Sequence, residues 1–167
     1  MRLSVFVLPL VLGAWAAHAQ PVPADPDWRE VEAPPPPALK LDGLIPLEMP
    51  RSALRFGVDP ASVSLGSDGI VRYVVVATSA TGAVNGLYEG LRCDTGDFKV
   101  YARHNAGSGW TVVKDSPWRP LHDGQTSSHS LLIARTGACI GRGPNRSALQ
   151  IVRDLRAPVD TRFNQPQ

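Results

Sequence analysis

Between Ser62 and Val113 the chain changes direction every few residues, and that cadence restricts it to an antiparallel sheet. Runs rich in Val, Ile, Tyr and Phe are separated by turn signals: "VDPAS" (58–62), "GSDG" (66–69), "SATGA" (79–83), "DTGD" (94–97) and "HNAGSG" (104–109). Asp-Pro and Asp-Gly pairs favour tight turns, and β-branched and aromatic residues fit a pleated surface. Connections this short join only antiparallel neighbours. The spacing predicts five strands, over 62–65, 70–78, 85–93, 98–103 and 110–113, in a meander. Before them, "LDGLIPLEMP" (41–50) reads as a short extended arm without a helical period.

Beyond an irregular corner, "SPWRPLHDGQ", the pattern turns helical. "TSSHSLLIARTGAC" (126–139) offers a Ser/Thr cap and an apolar run, for a helix of two to three turns ending near Gly137. "PNRSALQIVRDLR" (144–156) places Ala148, Ile151, Val152 and Leu155 on one helical face. The expected architecture is α+β, an antiparallel β-meander of about five strands with one face covered by C-terminal helices.

The ends suggest an address. Arg2, the apolar run "LSVFVLPLVLGAW" and the small residues of "AHA" form a signal-peptide pattern over residues 1–19, with cleavage expected before Gln20. The apolar run is shorter than a membrane span. Gln20, not a cysteine, directly follows the cleavage point and no second apolar run exists, so an exported, periplasmic protein without a stable membrane span is expected. Residues 20–40, with Pro21, Pro23, Pro26 and Pro34 to Pro37, read as an extended Pro-rich linker. Its simplest role is a spacer and its sharper one a docking motif, with Trp28 packing back on the domain. Residues 41–156 form a single domain and 157–167 a tail. A formal net charge of +2, with both signs interspersed, argues against nucleic acid as partner. Cys93 and Cys139, an even pair in an exported chain, are expected to form a disulfide.

"NGLYEGLRC" (85–93) raises the question of function. Strand side chains alternate between faces, so Glu89 falls among Leu87, Leu91 and Cys93. On the neighbouring strand Arg72 shares a parity with Ile70, Val74 and Val76. An Arg72–Glu89 cross-strand pair would answer one inward charge with another. Such a pair either fixes strand register or lines a pocket in which Glu89 acts as a general acid or base or holds a ligand. The other parity gathers Tyr88, Arg92, Lys99, Tyr101 and Arg103 on an outer face. That face is either an ordinary solvated surface or a binding surface for a partner protein, a glycan or an anionic ligand. The candidate binding residues are therefore Arg72, Tyr88, Glu89, Arg92 and Tyr101, with Glu89 the one weak catalytic candidate.

Other chemistry finds little support. His104, His122 and Asp123 have no metal-ligand spacing, and His129 stands seven residues past His122. No metal or cofactor is expected: there is no G-x-S-x-G elbow, P-loop or dinucleotide fingerprint. "NRS" at Asn145 matches a glycosylation sequon only incidentally.

The residues "VDPASVSLGSDGIVRYVVV", "TGAVNGLYEGLRC", Trp110, Trp118 and Cys139 resemble the cryptic neisserial protein 1-like family, from about Leu44 to Cys139. The most specific part is Asp68-Gly69, Arg72-Tyr73, Tyr88-Glu89-Gly90 and Arg92-Cys93. That resemblance implies a small exported envelope protein and brings no catalytic residues. The expected function is a non-enzymatic module that binds an envelope component or partner. The alternative is a small envelope hydrolase using Glu89, although Asp68, Asp94 and Asp97 sit at turns away from it and a glycosidase needs two carboxylates.

Overall fold

The computed structural model describes residues 25–49, 52–122 and 128–157. The expected signal peptide, the tail from residue 158 onward, Asp123 and the proposed Ser/Thr helix cap lie outside these residues.

Among the described residues ten strands and two α-helices follow one another: β1 (Ile45–Leu47), β2 (Arg55–Val58), β3 (Ser64–Leu65), β4 (Val71–Thr78), β5 (Val84–Arg92), β6 (Asp97–Asn105), β7 (Gly109–Val112), β8 (Arg119–Pro120), α1 (Ser128–Ile133), β9 (Cys139–Ile140), β10 (Gly143–Pro144) and α2 (Ala148–Arg156). The first eight form one antiparallel sheet in the order β1-β2-β4-β5-β6-β7. Two short strands complete its edges, with β3 pairing with β4 and β8 with β6. The fold is α+β, and β3 to β7 follow the expected meander. The sheet is wider than five strands because β1 and β2 form a hairpin from residues 45–58 and seat it on the far half of β4. In the arm "LDGLIPLEMP" Pro46 cannot donate to a ladder, which masks the strand, and β1 gains its partner only in three dimensions.

Local chemistry explains the turns. Asp59 caps the 3₁₀ turn at Pro60–Ser62 by accepting from the Ala61 N–H at 2.9 Å. In "GSDG" the Asp68 carboxylate accepts from the Ile70 N–H, and Gly69 adopts φ +76°, a conformation that glycine takes without steric cost.

Both faces of the sheet are covered. On one, Val71, Tyr73, Val75, Leu91, Phe98 and Val100 join Ile133, Ala134, Ala138, Ile151 and Leu155 in a single core. Helix α1 passes directly into a π-helical turn, Ala134–Ala138, over "ARTGA". The small residues there let α2 approach: a Cβ on Gly137 would lie 2.8 Å from Leu155 Cγ. Ser147 caps α2. Asn145 is buried, its amide donating to Gly137 C=O and to Asp154, both at 2.8 Å. The sequon is therefore structural. A disulfide between Cys93 and Cys139 ties the end of β5 to the helical layer.

On the opposite face Val74, Val76, Tyr88 and Ala102 pack against Ala33, Leu39, Leu44 and Trp110. The expected linker is extended, but over residues 28–39 it lies against the sheet rather than acting as a free spacer. Trp28 donates to Asp68 C=O at 2.9 Å and lies 3.6 Å from the Arg92 guanidinium carbon. Arg72 donates to Val31 C=O, and Trp110 to Pro37 C=O. Glu30 accepts from Lys99, Tyr101 and Trp118. Trp28 thus packs back on the domain, as the sequence suggests. Replacing it, Trp28→Ala, should lower unfolding free energy by about 2–3 kcal/mol, from the lost stacking on Arg92 and lost burial. Urea titration of the oxidised protein measures this, and an unchanged midpoint would mean that the arm contributes nothing to the fold.

Candidate functional site

The hairpin register decides where each charge points. The turn at 79–83 pairs Thr78 with Val84, so Tyr73 stands opposite Glu89 and Arg72 opposite Gly90. Arg72 and Glu89 therefore lie on opposite faces, and the expected Arg72–Glu89 pair does not form. Arg72 instead reaches back four residues to Asp68, with Nη2 2.6 Å from the carboxylate and both side chains buried. Burial pushes the Asp68 carboxyl up, but hydrogen bonds from Arg72, Ile70 and Val31 and the Arg72 charge outweigh it, leaving it below its ordinary value.

Glu89 is 1 % exposed and receives three hydrogen bonds. Tyr73 OH and Ser130 Oγ each donate to Oε2 at 2.9 Å, and His129 Nε2 lies 2.9 Å from Oε1. Burial drives the Glu89 carboxyl up, but the His129 charge and the hydrogen bonds from His129, Ser130 and Tyr73 pull harder, and the group settles below its usual value. An ionised carboxylate accepts only, so His129 Nε2 carries the shared proton. Burial, followed by the charge and hydrogen bond of Glu89, raises Tyr73 well above the ordinary phenol range, keeping it a donor.

His129 is 6 % exposed, and its ring stacks on Phe56 with centroids 5.0 Å apart. Its Nδ1 has no hydrogen-bond partner among the described residues. The ring forms one wall of an open cleft of about 420 Å³, where β5 and β6 run beyond α1. Phe56, Leu54 and Leu87 supply its apolar surface, and Asn85, Asn105 and Arg103 its polar one.

Arg103 reaches this cleft because β6 carries a bulge. Tyr88 pairs with Ala102 and Glu89 with Val100, so Tyr101 is the extra residue. One inserted residue reverses the alternation beyond it. Lys99 and Tyr101 stay on the arm side, whereas Arg103 faces the same side as Leu87, and its assignment to the outer face is corrected. The rest of that outer face lies under the arm, with a cleft of about 550 Å³ between Glu30, Ala33 and Pro34 on the arm and Tyr88, Lys99 and Tyr101 on the sheet. Tyr88 is 3 % exposed, and Tyr101 and Lys99 are bonded to Glu30. Arg92 is held by Asp94 and Trp28. Gly90 permits the crowding there, since a Cβ would come within 2.8 Å of the Tyr101 ring. His104 packs edge-on to Trp110 on the arm side and His122 is exposed. Among the described residues no three metal-ligating side chains cluster, and no helix is long and apolar enough to cross a membrane.

Of the five candidate binding residues, four therefore stand on the arm side, and Glu89 alone belongs to the network beside the cleft. Sequence reasoning missed Tyr73, His129, Ser130 and Asp68 as charge partners. The "TSSHS" run, polar residues directly ahead of an apolar helix, was the available signal for two of them.

Together the fold and site define a small α+β module with a buried carboxylate–histidine network beside an open polar cleft. The chain belongs to the CNP1-like family, whose model matches residues 23–156. No curated protein and no solved structure matches it.

Removing the network's charge tests its structural weight. Glu89→Gln places an amide donor among three donors and should cost about 3 kcal/mol or more at neutral pH. Because the folded carboxyl is shifted down, its stabilisation is present above the unfolded value of about 4.3 and fades as pH falls through the folded one. The gap between wild type and variant, measured by urea unfolding, should narrow from pH 7 toward pH 3. A gap that stays constant, or is absent at pH 7, would contradict the ionised network.

Proposed function

We propose that this protein is an exported, periplasmic, non-enzymatic module that binds an envelope component in the cleft beside His129. The observation that carries this reading is the cleft: a polar rim of Asn85, Arg103, Asn105 and His129 around apolar Phe56, Leu54 and Leu87. Pockets that hold small ligands combine apolar walls with a few placed polar groups in this way. The opposite face also carries a cleft, of about 550 Å³, between the arm and Tyr88, Lys99 and Tyr101, but there Lys99 and Tyr101 are already bonded to Glu30. Export is supported by the signal-peptide pattern and by the Cys93–Cys139 disulfide, which suits an oxidising compartment.

The hydrolase alternative rests on Glu89, whose two oxygens already serve Tyr73, Ser130 and His129. Glu89 does not line the cleft. A carboxylate sealed in this way cannot exchange a proton directly with a substrate, which favours binding over hydrolysis.

Two measurements test the reading. Expressed in full in a Gram-negative host, the protein should appear in the periplasmic fraction with an intact mass beginning at Gln20 and an oxidised disulfide; retention in the cytoplasm would refute export. Titrating the ¹⁵N-labelled protein with low-molecular-weight envelope extract should shift amides around Phe56, Asn85, Arg103 and His129. A spectrum unchanged there would refute the cleft as a binding site.

A further inference from the structure

We propose that the cleft is a site for an organic anion, an oxyacid headgroup held by Arg103 with an apolar body lying on Phe56, Leu54 and Leu87. This rests on the binding reading above and adds the class of ligand. No carboxylate lines the cleft among the described residues, and Arg103 brings its guanidinium to the rim. Arg103 is exposed and forms no ion pair or hydrogen bond among the described residues, leaving its planar fork of donors free for carboxylate or phosphate oxygens. The other arginine candidates differ: Arg72 is bound to Asp68 and Arg92 to Asp94.

Polar groups around Arg103 supply further donors. Asn85 and Asn105 are cross-strand partners on the same face, and neither side-chain amide has a partner among the described residues. His129 brings a second, independent feature, a side chain more than nine-tenths buried with Nδ1 uncommitted. Its Nε2 is fixed on Glu89 at 2.9 Å and its plane is fixed by stacking on Phe56. A ring oriented on both counts presents its remaining nitrogen in one direction, at low entropic cost to a ligand. Glu89 lies behind the imidazole, its charge taken up by three donors, and does not face the headgroup.

The apolar half is equally specific. Leu54 is 38 % exposed beside the cleft, and Phe56 presents a face already partly desolvated by the stacked imidazole. An inorganic anion would leave this surface wet, and an uncharged alkyl chain would leave Arg103 unanswered. A molecule bearing both parts uses both, and about 420 Å³ accommodates a chain of several carbons.

The probes are octanoate, octyl phosphate, octanol and inorganic phosphate, each titrated into the ¹⁵N-labelled full domain and followed at Asn85, Asn105 and His129. Octanoate or octyl phosphate should bind saturably, at least tenfold more tightly than octanol and inorganic phosphate. Whichever of the two binds better identifies the headgroup as carboxylate or phosphate. Arg103→Met should weaken the anionic probe at least tenfold and leave octanol unchanged, with an unaltered melting curve. Asn105→Asp, which adds a carboxylate to the rim, should weaken it comparably and serves if the arginine variant fails to fold. Equal affinity for octanol and octanoate, or indifference to both variants, would overturn the anion assignment. If none of the four probes shifts the cleft amides while envelope extract does, the anion assignment falls and the binding reading stands. If the extract also fails, both fall.

Discussion

A carboxylate taken out of water must be given back, by protein donors, the hydrogen bonds that it lost. Glu89 meets that demand from two layers at once: Tyr73 on the neighbouring strand, and His129 and Ser130 at the start of α1. The four side chains thereby fix the position of a six-residue helix against the sheet. So short a helix has little stability of its own. Its tertiary anchor must be strong, and directional bonds set the helix orientation more narrowly than apolar contact does. The disulfide at Cys139 anchors the far end of the same helical layer to β5.

The opposite face solves a second charge problem by the same logic. Arg72 is buried, and its Nη donors are divided between Asp68 and the carbonyl of Val31, while Nε has no partner among the described residues. Asp68 in turn accepts from the Val31 N–H. The Pro-rich arm is therefore a bonded part of this ion pair as well as a cover over Val74, Val76 and Tyr88. Prolines suit that role, since they hold the segment extended before it docks and reduce the entropy lost on docking. The tryptophans at 28, 110 and 118 each donate an indole N–H to or from the arm, so this interface has its own polar register.

Much of this was legible in the sequence, wherever the determining contacts are local. The turns at 66–69, 79–83 and 94–97, strands β4 and β5, helix α2 and the cysteine pair all follow from residues close together or from simple chemistry. Reading failed where geometry accumulates along the chain. The pairing of Glu89 depends on the register set by the turn at 79–83, and one residue of difference exchanges Tyr73 for Arg72 as its neighbour. The bulge at Tyr101 carries no glycine or proline to mark it, yet it moves Arg103 from one face to the other. His129 and Ser130 are 40 and 41 residues from Glu89, a distance that no periodicity spans. Alternation correctly placed Glu89 of "NGLYEGLRC" among apolar residues, and its partners lay in another layer.

The cleft exists because these two irregularities coincide. Helix α1 covers the sheet face as far as Glu89, and among the described residues β5 and β6 run on beyond it. A regular β6 would turn Arg103 toward the arm and bring Ala102 and His104 to this face in its place. With the bulge, that end of the face gains its guanidinium just where the anchored imidazole borders it. The network that holds α1 in place also holds His129 at the cleft wall, so stability and site geometry are coupled through Glu89. Arg103, Asn85 and Asn105 carry no such burden: they are exposed or part-exposed, unbonded to other side chains among the described residues, and free to change without cost to the fold. A scaffold divided in this way, with a rigid wall and a replaceable rim, permits the ligand to be altered at the rim while the wall stays constant.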